Sequence, residues 1–207
     1  MRKTVHTRDV KKRWFGLAAL LVGLALMCAA CSTTYRAYAR GMFDGKAALQ
    51  RGDYDGARRN FEMAHQNEKG PIPLTYLAIV EYRVNNMEKA ERLIREAETM
   101  EGHGYYYLRA LGYKALILLR RDRNEGLEAL GGYVTAYGRS DPLMTINDVE
   151  AMRRSGEINM ERLEKFVEEQ VSWYERDVEQ YLATGTGYYD GKGFGGPFQF
   201  EGGILFR

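Results

Sequence analysis

Two segments of this chain repeat one another at a fixed distance, and that period constrains the fold more than composition does. Gly52-Asp53-Tyr54-Asp55-Gly56-Ala57 is followed by Phe61 and Ala64, and Asn85-Asn86-Met87-Glu88-Lys89-Ala90 by Ile94 and Ala97. Ala57 and Ala90 stand 33 residues apart, as do Ala64 and Ala97. Each segment reads as a polar turn followed by a helix. Its small residues recur after seven positions, about two helical turns, so they stack on one face. Small side chains there let a neighbouring helix approach closely, while Phe61 and Ile94 fill the space beside them.

The preceding stretches complete two helical hairpins. Residues 41 to 51 carry Gly45 and Ala48 before the Arg51-Gly52-Asp53 turn. Residues 73 to 84 start with Pro73, favoured at a first helical position, and carry Leu74, Leu77 and Ala78. A third unit is looser: Leu111, Ala115 and Leu118, a polar turn from Arg121 to Glu125, then Leu127, Leu130 and Val134. Leu127 lies 37 residues after Ala90, and each glycine of Gly131-Gly132 weakens that helix by about 1 kcal/mol relative to Ala.

Over residues 37–137 this pattern resembles the tetratricopeptide repeat family, whose period is about 34 residues. Two units match, the third is degenerate, and none carries the family's Trp. The resemblance implies an all-α fold, a short α-solenoid of helical hairpins in which each unit's first helix lines a concave groove. Mapped onto this sequence, the groove positions are Lys46, Gln50, Thr75, Ile79, Tyr82, Arg83, Arg109, Leu116 and Arg120. That set is basic and partly apolar. Arginine reads carboxylates bidentately, so an acidic peptide segment or a free C-terminus suits it. The plainer reading makes Arg83 and Arg120 ordinary helix-end cations favoured by the macrodipole.

Asp141-Pro142 opens a short helix to about Arg154, and Ser155-Gly156 breaks it. From Met160 to Ala183, Leu163, Val167, Val171, Tyr174, Val178 and Leu182 recur at intervals of three and four, an amphipathic helix. Residues 141–183 are therefore C-terminal helices. The last is expected to cap the array with a polar outer face bearing Glu168, Glu169, Glu175, Arg176 and Asp177. Residues 184–207 change character: eight of these 24 are Gly and six are Tyr or Phe. They read as a flexible tail. The sharper reading is an adhesive segment in which Phe198-Gln199-Phe200 and Ile204-Leu205-Phe206 add an edge strand to a partner.

The N-terminus carries an address. Basic residues Arg2, Lys3, Arg8, Lys11, Lys12 and Arg13 precede a charge-free apolar run from Trp14 that ends in Cys28-Ala29-Ala30-Cys31. A basic start, a short apolar core and small residues before a cut describe a secretory signal. Ala29-Ala30-Cys31 resembles the lipobox of bacterial lipoproteins, with Cys28 where the family prefers Leu. The resemblance implies a signal peptide over 1–30, acylation of Cys31, and a lipidated linker over 31–36. Ser32, rather than Asp, follows the cysteine, which favours the outer membrane. The rival is an uncleaved helix over residues 14–35 held in the inner membrane. With the signal removed, the formal net charge of +2 becomes −3, 24 basic against 27 acidic residues. No basic field argues for nucleic acid.

Signs of catalysis are missing. There is no H-E-x-x-H, G-x-S-x-G or phosphate-binding loop, and no metal or cofactor is expected. His65 and His103 read as solvated, and pairs such as Glu88 with Arg92 as solvated helix faces. At least one residue of Tyr105-Tyr106-Tyr107 is expected to face solvent or a partner, with Tyr106 or Tyr113 filling core. The sequence thus leads to a non-enzymatic, lipid-anchored protein–protein interaction adaptor of the cell envelope, of a pilus, secretion or envelope-assembly accessory type. The alternatives are a self-associating structural lipoprotein and a small-ligand or enzymatic envelope protein. Replacing Cys31 with Ser should abolish incorporation of labelled fatty acid, whereas Cys28→Ser should leave it intact.

Overall fold

The computed structural model describes residues 33–138 and 146–184. The expectations for residues 1–30, Cys31, the Asp141-Pro142 cap and the tail beyond Thr184 lie outside the described residues. Within them every regular element is helical: α1 (33–50), α2 (Tyr54–Asn67), α3 (Pro71–Arg83), α4 (Met87–Glu98), a 3-10 turn (Gly104–Tyr106), α5 (Tyr107–Arg121), α6 (Arg123–Gly138), α7 (Asn147–Ser155) and α8 (Met160–Thr184). Residues 33–36, assigned from sequence to a linker, already belong to α1, because Thr33 to Arg40 contains no helix breaker. No described helix is long and apolar enough to cross a membrane.

The 33-residue period is visible in the turns themselves. Gly52 and Asn85 both adopt a left-handed backbone, with φ of 74° and 62°, which Gly takes freely and Asn tolerates. The Asp53 N–H donates to the Ala48 carbonyl at 3.0 Å and the Asn86 N–H to that of Glu81 at 2.8 Å. The Ala57 N–H then reaches Asp53 O at 2.9 Å, and the Ala90 N–H reaches Asn86 O at 3.0 Å. Ala57, Ala64, Ala90 and Ala97 are all fully buried. Opposite the first pair, a Cβ on Gly45 would stand 2.6 Å from the Phe61 ring, and one on Gly41 2.7 Å from the Asn60 carbonyl. The α1–α2 approach therefore excludes any side chain at these two positions.

In the third hairpin the expected turn over Arg121 to Glu125 shrinks to Asp122 alone. Its carboxylate accepts from the Asn124 and Glu125 N–H groups at 2.8 and 3.0 Å and caps α6 at once. The Gly126 N–H donates to Asp122 O at 2.9 Å, so Gly126, not Leu127, is the counterpart of Ala57 and Ala90. A Cβ there would lie 2.5 Å from the Leu119 backbone. Four residues on, Phe61, Ile94 and Leu130 are equally buried. Seven on, Tyr133 stands where the other units have Ala64 and Ala97. Gly112 on α5 makes the room, since a Cβ there would meet the Tyr133 ring at 3.3 Å.

Successive hairpins stack, with α2 on α3 and α4 on α5, while the first helices α3 and α5 touch directly. Enclosed in this way, α3 is buried from Pro73 through Tyr82, which is why its sequence is apolar all round. Its one buried acid, Glu81, is answered on three sides: by Arg58 of α2 and Lys89 of α4, each at 2.8 Å, and by Asn86 at 3.1 Å. Burial works against the Glu81 carboxylate, but these donors hold its pKa below the ordinary value.

After α7 the chain reverses at Gly156, φ 72°, and α8 runs back across α5 to the 3-10 turn. This corrects the expected cap. Glu169 and Arg176 do face solvent, but Glu168 and Glu175 turn inward, Glu175 to 5% exposure. The reason is that α8 covers the inner layer of first helices rather than presenting one wet side.

Ala57→Leu, Ala90→Leu and Gly126→Leu should each destabilise by about 1–3 kcal/mol through overpacking, with Gly126→Leu the worst because it meets backbone. Thermal unfolding followed by circular dichroism measures this. Wild-type melting of Gly126→Leu would refute the α5–α6 register.

Candidate functional site

The residues assigned to a groove are brought to one wall, but α8 already lies on it. Arg109, 4% exposed, donates through Nε and Nη2 to the two oxygens of Glu175 at 2.8 and 2.9 Å. Its Nη1 reaches Glu168 at 3.3 Å, and its guanidinium carbon lies 5.3 Å from the centre of the Tyr76 ring. Arg83 pairs with Glu164 and donates to the Tyr113 hydroxyl at 3.0 Å. Tyr82 donates to Glu164 at 2.6 Å. Arg120 stands 3.6 Å from Glu164 and stacks over Tyr82, 4.6 Å from its ring centre. Lys46 donates to the Tyr106 hydroxyl at 2.7 Å and to Glu179 at 3.2 Å.

Three groove assignments are corrected. Ile79 and Leu116 are buried in the core, and Thr75, equally buried, spends its hydroxyl on the Pro71 carbonyl at 2.9 Å. They sit on first helices as mapped, but those helices are enclosed on several sides, so their faces point into packing. Gln50 is exposed and lines what remains open. The histidine reading also changes: both ring nitrogens of His103 are buried, and burial lowers its pKa. Of the tyrosine run, Tyr105 and Tyr106 stack with ring centres 4.3 Å apart, and Tyr107 meets the His103 edge at 5.3 Å. All three are half-buried, while Tyr113 is fully buried.

Of the acids on the other side of the contact, Glu168 and Glu175 were expected on a solvated outer face, and Glu164 and Glu179 were not singled out. Glu164, Glu168, Glu175 and Glu179 follow one another at spacings of four, seven and four, a single line along α8 beside its apolar stripe. That acidic line matches a basic line on the first helices, and the match was the available signal. Burial pushes the Glu175 carboxyl up against the pull of Arg109. Burial also works against Glu168, but Arg109, Tyr113 and Arg83 outweigh it and hold that carboxyl below the usual range.

Magnitudes decide what holds α8 down. Leu163, Val167, Val171, Tyr174 and Val178 are each at most 1% exposed, and burying an aliphatic side chain of this size contributes about 1.5–3 kcal/mol. Ion pairs in such a place roughly break even against desolvation. The apolar seam therefore binds the helix, and the charges set its register.

Between α1 and α8 the wall stays open as a cleft of about 860 Å³. Lys46, Arg51, Arg83, Arg109 and Arg176 line it, against Glu168, Glu175 and Glu179, so cations outnumber acids five to three. Arg51 and Arg176 are exposed and have no ion pair among the described residues. No group of acids, histidines or cysteines placed to hold a metal ion occurs among the described residues.

Removing one side of the buried pair, by Arg109→Met or Glu175→Leu alone, should cost about 3–5 kcal/mol, and the two together far less. Urea unfolding of the four-member cycle measures the coupling; additive single effects would mean that the pair is not buried as a unit.

No protein-family model matches the chain, and neither the curated proteins nor the solved structures contain a significant match to it.

Proposed function

We propose that this protein is a non-enzymatic adaptor of the bacterial envelope, a short tetratricopeptide-like solenoid tethered to the outer membrane through lipid on Cys31. It captures an acidic segment of an envelope protein in the cleft between α1 and α8. The observation that carries this reading is the pair Arg51 and Arg176, two cations on one cleft with no carboxylate of their own among the described residues. A guanidinium in that state is free to take a carboxylate bidentately. The wall behind them is already paired with acids, since its other cations hold Glu164, Glu168, Glu175 and Glu179 of the same chain.

This differs from a groove open along its whole length. Arg83 and Arg120 are engaged with α8, and a partner competing for them would have to lift the apolar seam as well. The cleft needs no such displacement.

Two charge-assisted contacts contribute about 1.5–3 kcal/mol each when partly desolvated. Arg51→Glu with Arg176→Glu should therefore reduce capture of the partner from envelope extract at least tenfold, with melting unchanged because both side chains are exposed. The same pull-down is run with a chain ending at Thr184. Loss only in the shortened chain would move the site to the tail. Full retention by both variants would refute the cleft.

A further inference from the structure

The rest of the fold leaves one face of α1 bare. Tyr35, Arg36, Ala39, Arg40 and Phe43 are all exposed. No large apolar side chain among the described residues is more exposed than Phe43, at 75%, followed by Tyr35 at 66%. At 100° per residue, Tyr35, Ala39 and Phe43 form one line along the helix. Arg36 and Arg40 form the line beside it, and all five fall within an arc of about 140°. The opposite side of α1 holds the buried Gly41, Gly45 and Ala48, and the buried Met42 borders the arc beside Tyr35. The Arg40 side chain is 80% exposed, and among the described residues its one ion pair is a long contact to Asp44 at 3.4 Å.

Aromatic side chains flanked by cations on one helical face suit the boundary between lipid and water. The rings sit at headgroup level and the guanidinium groups meet lipid phosphates. The position of this helix adds the second argument. Thr33, its first described residue, is two residues past Cys31, where the apolar N-terminal run ends. At 1.5 Å of rise per residue, Phe43 lies about 15 Å along α1 from Thr33. The membrane end of the chain and the bare face of α1 are therefore neighbours, whether acyl chains or an uncleaved helix supply the anchor.

We propose that the Tyr35–Phe43 face of α1 lies on the phospholipid headgroups, as a second membrane contact beside the N-terminal anchor; this rests on the anchoring reading above. The contact orients the molecule. Lys46 and Gln50 of the cleft fall within the same arc of α1 one to two turns further on, so a lipid-bound α1 turns the cleft toward the bilayer. The acidic segment it takes is then a membrane-proximal one.

The test uses the full chain, purified with its native N-terminus and reconstituted into vesicles of phosphatidylethanolamine and phosphatidylglycerol. An environment-sensitive fluorophore is attached at Phe43→Cys, or at Glu62→Cys on the exposed side of α2 as the control, and a headgroup-spin-labelled lipid serves as quencher. Quenching at position 43 should exceed that at 62 several-fold and fall toward the control when Arg36→Glu and Arg40→Glu are added. If the chain floats with the vesicles while the two positions quench equally, the lipid contact is wrong and the anchor stands. A chain that fails to float refutes both. Quenching at 43 that appears only after removal of residues 185–207 would place the tail on this face, and the proposal would fall.

Discussion

A guanidinium shut between helices has to be answered by a carboxylate, and here the answer to Arg109 comes from Glu175, 66 residues further along the chain. The register of α8 on the inner side of the array depends on that meeting. Arg109 projects from α5 into the layer of first helices, where it is almost wholly screened from water. Without Glu175 the cost of the buried charge would fall on the fold. With it, α8 is fixed in direction and register, and its neighbouring acids fall opposite Arg83, Arg120 and Lys46. The Val167 side chain, meanwhile, fits against Gly112, where even a Cβ would approach it to 2.6 Å. Polar register and apolar fit thus specify the same position for one helix.

The legible part of this fold was the part governed by local spacing. Alanines seven apart and the polar turn before them recur at 33 residues, and both can be read without knowing what they pack against. The third unit was harder, because its small residue is Gly126 and its second alanine has become Tyr133. That exchange is intelligible only with Gly112 opposite, a residue on another helix. A spacing rule that searches for like residues passes over a pair in which bulk has moved across the interface.

The site was misread for a related reason. The cations of the first helices were visible, and their preference for acids follows from chemistry alone. What spacing could not show is that the acids belong to the same chain. Glu168 and Glu175 on an amphipathic helix look like an ordinary solvated side, because sequence gives the angle between two faces and not what lies outside them. Only the fold of α8 back over α5 makes that side an interior one. The same limit applies to Ile79 and Leu116, which have groove register but face packed neighbours.

A scaffold that fills its own groove is restricted in how it can bind. Lifting α8 would expose five large side chains that are now dry, so a partner making only polar contacts could not compensate for the loss. Binding is therefore directed to surfaces that α8 leaves uncovered. Two of these lie along the same side of α1: the aromatic and basic face near the N-terminus, and the cleft wall carrying Lys46 and Gln50. Arg51 follows in the next turn of chain, and Arg176 lines the same cleft from α8. Because these features share one helix, the proposed lipid contact would make the orientation of α1 govern access to the cleft. On the two proposals together, recognition and attachment would be two uses of a single helical face, held in fixed register by the Gly41 and Gly45 contacts of α1 with α2.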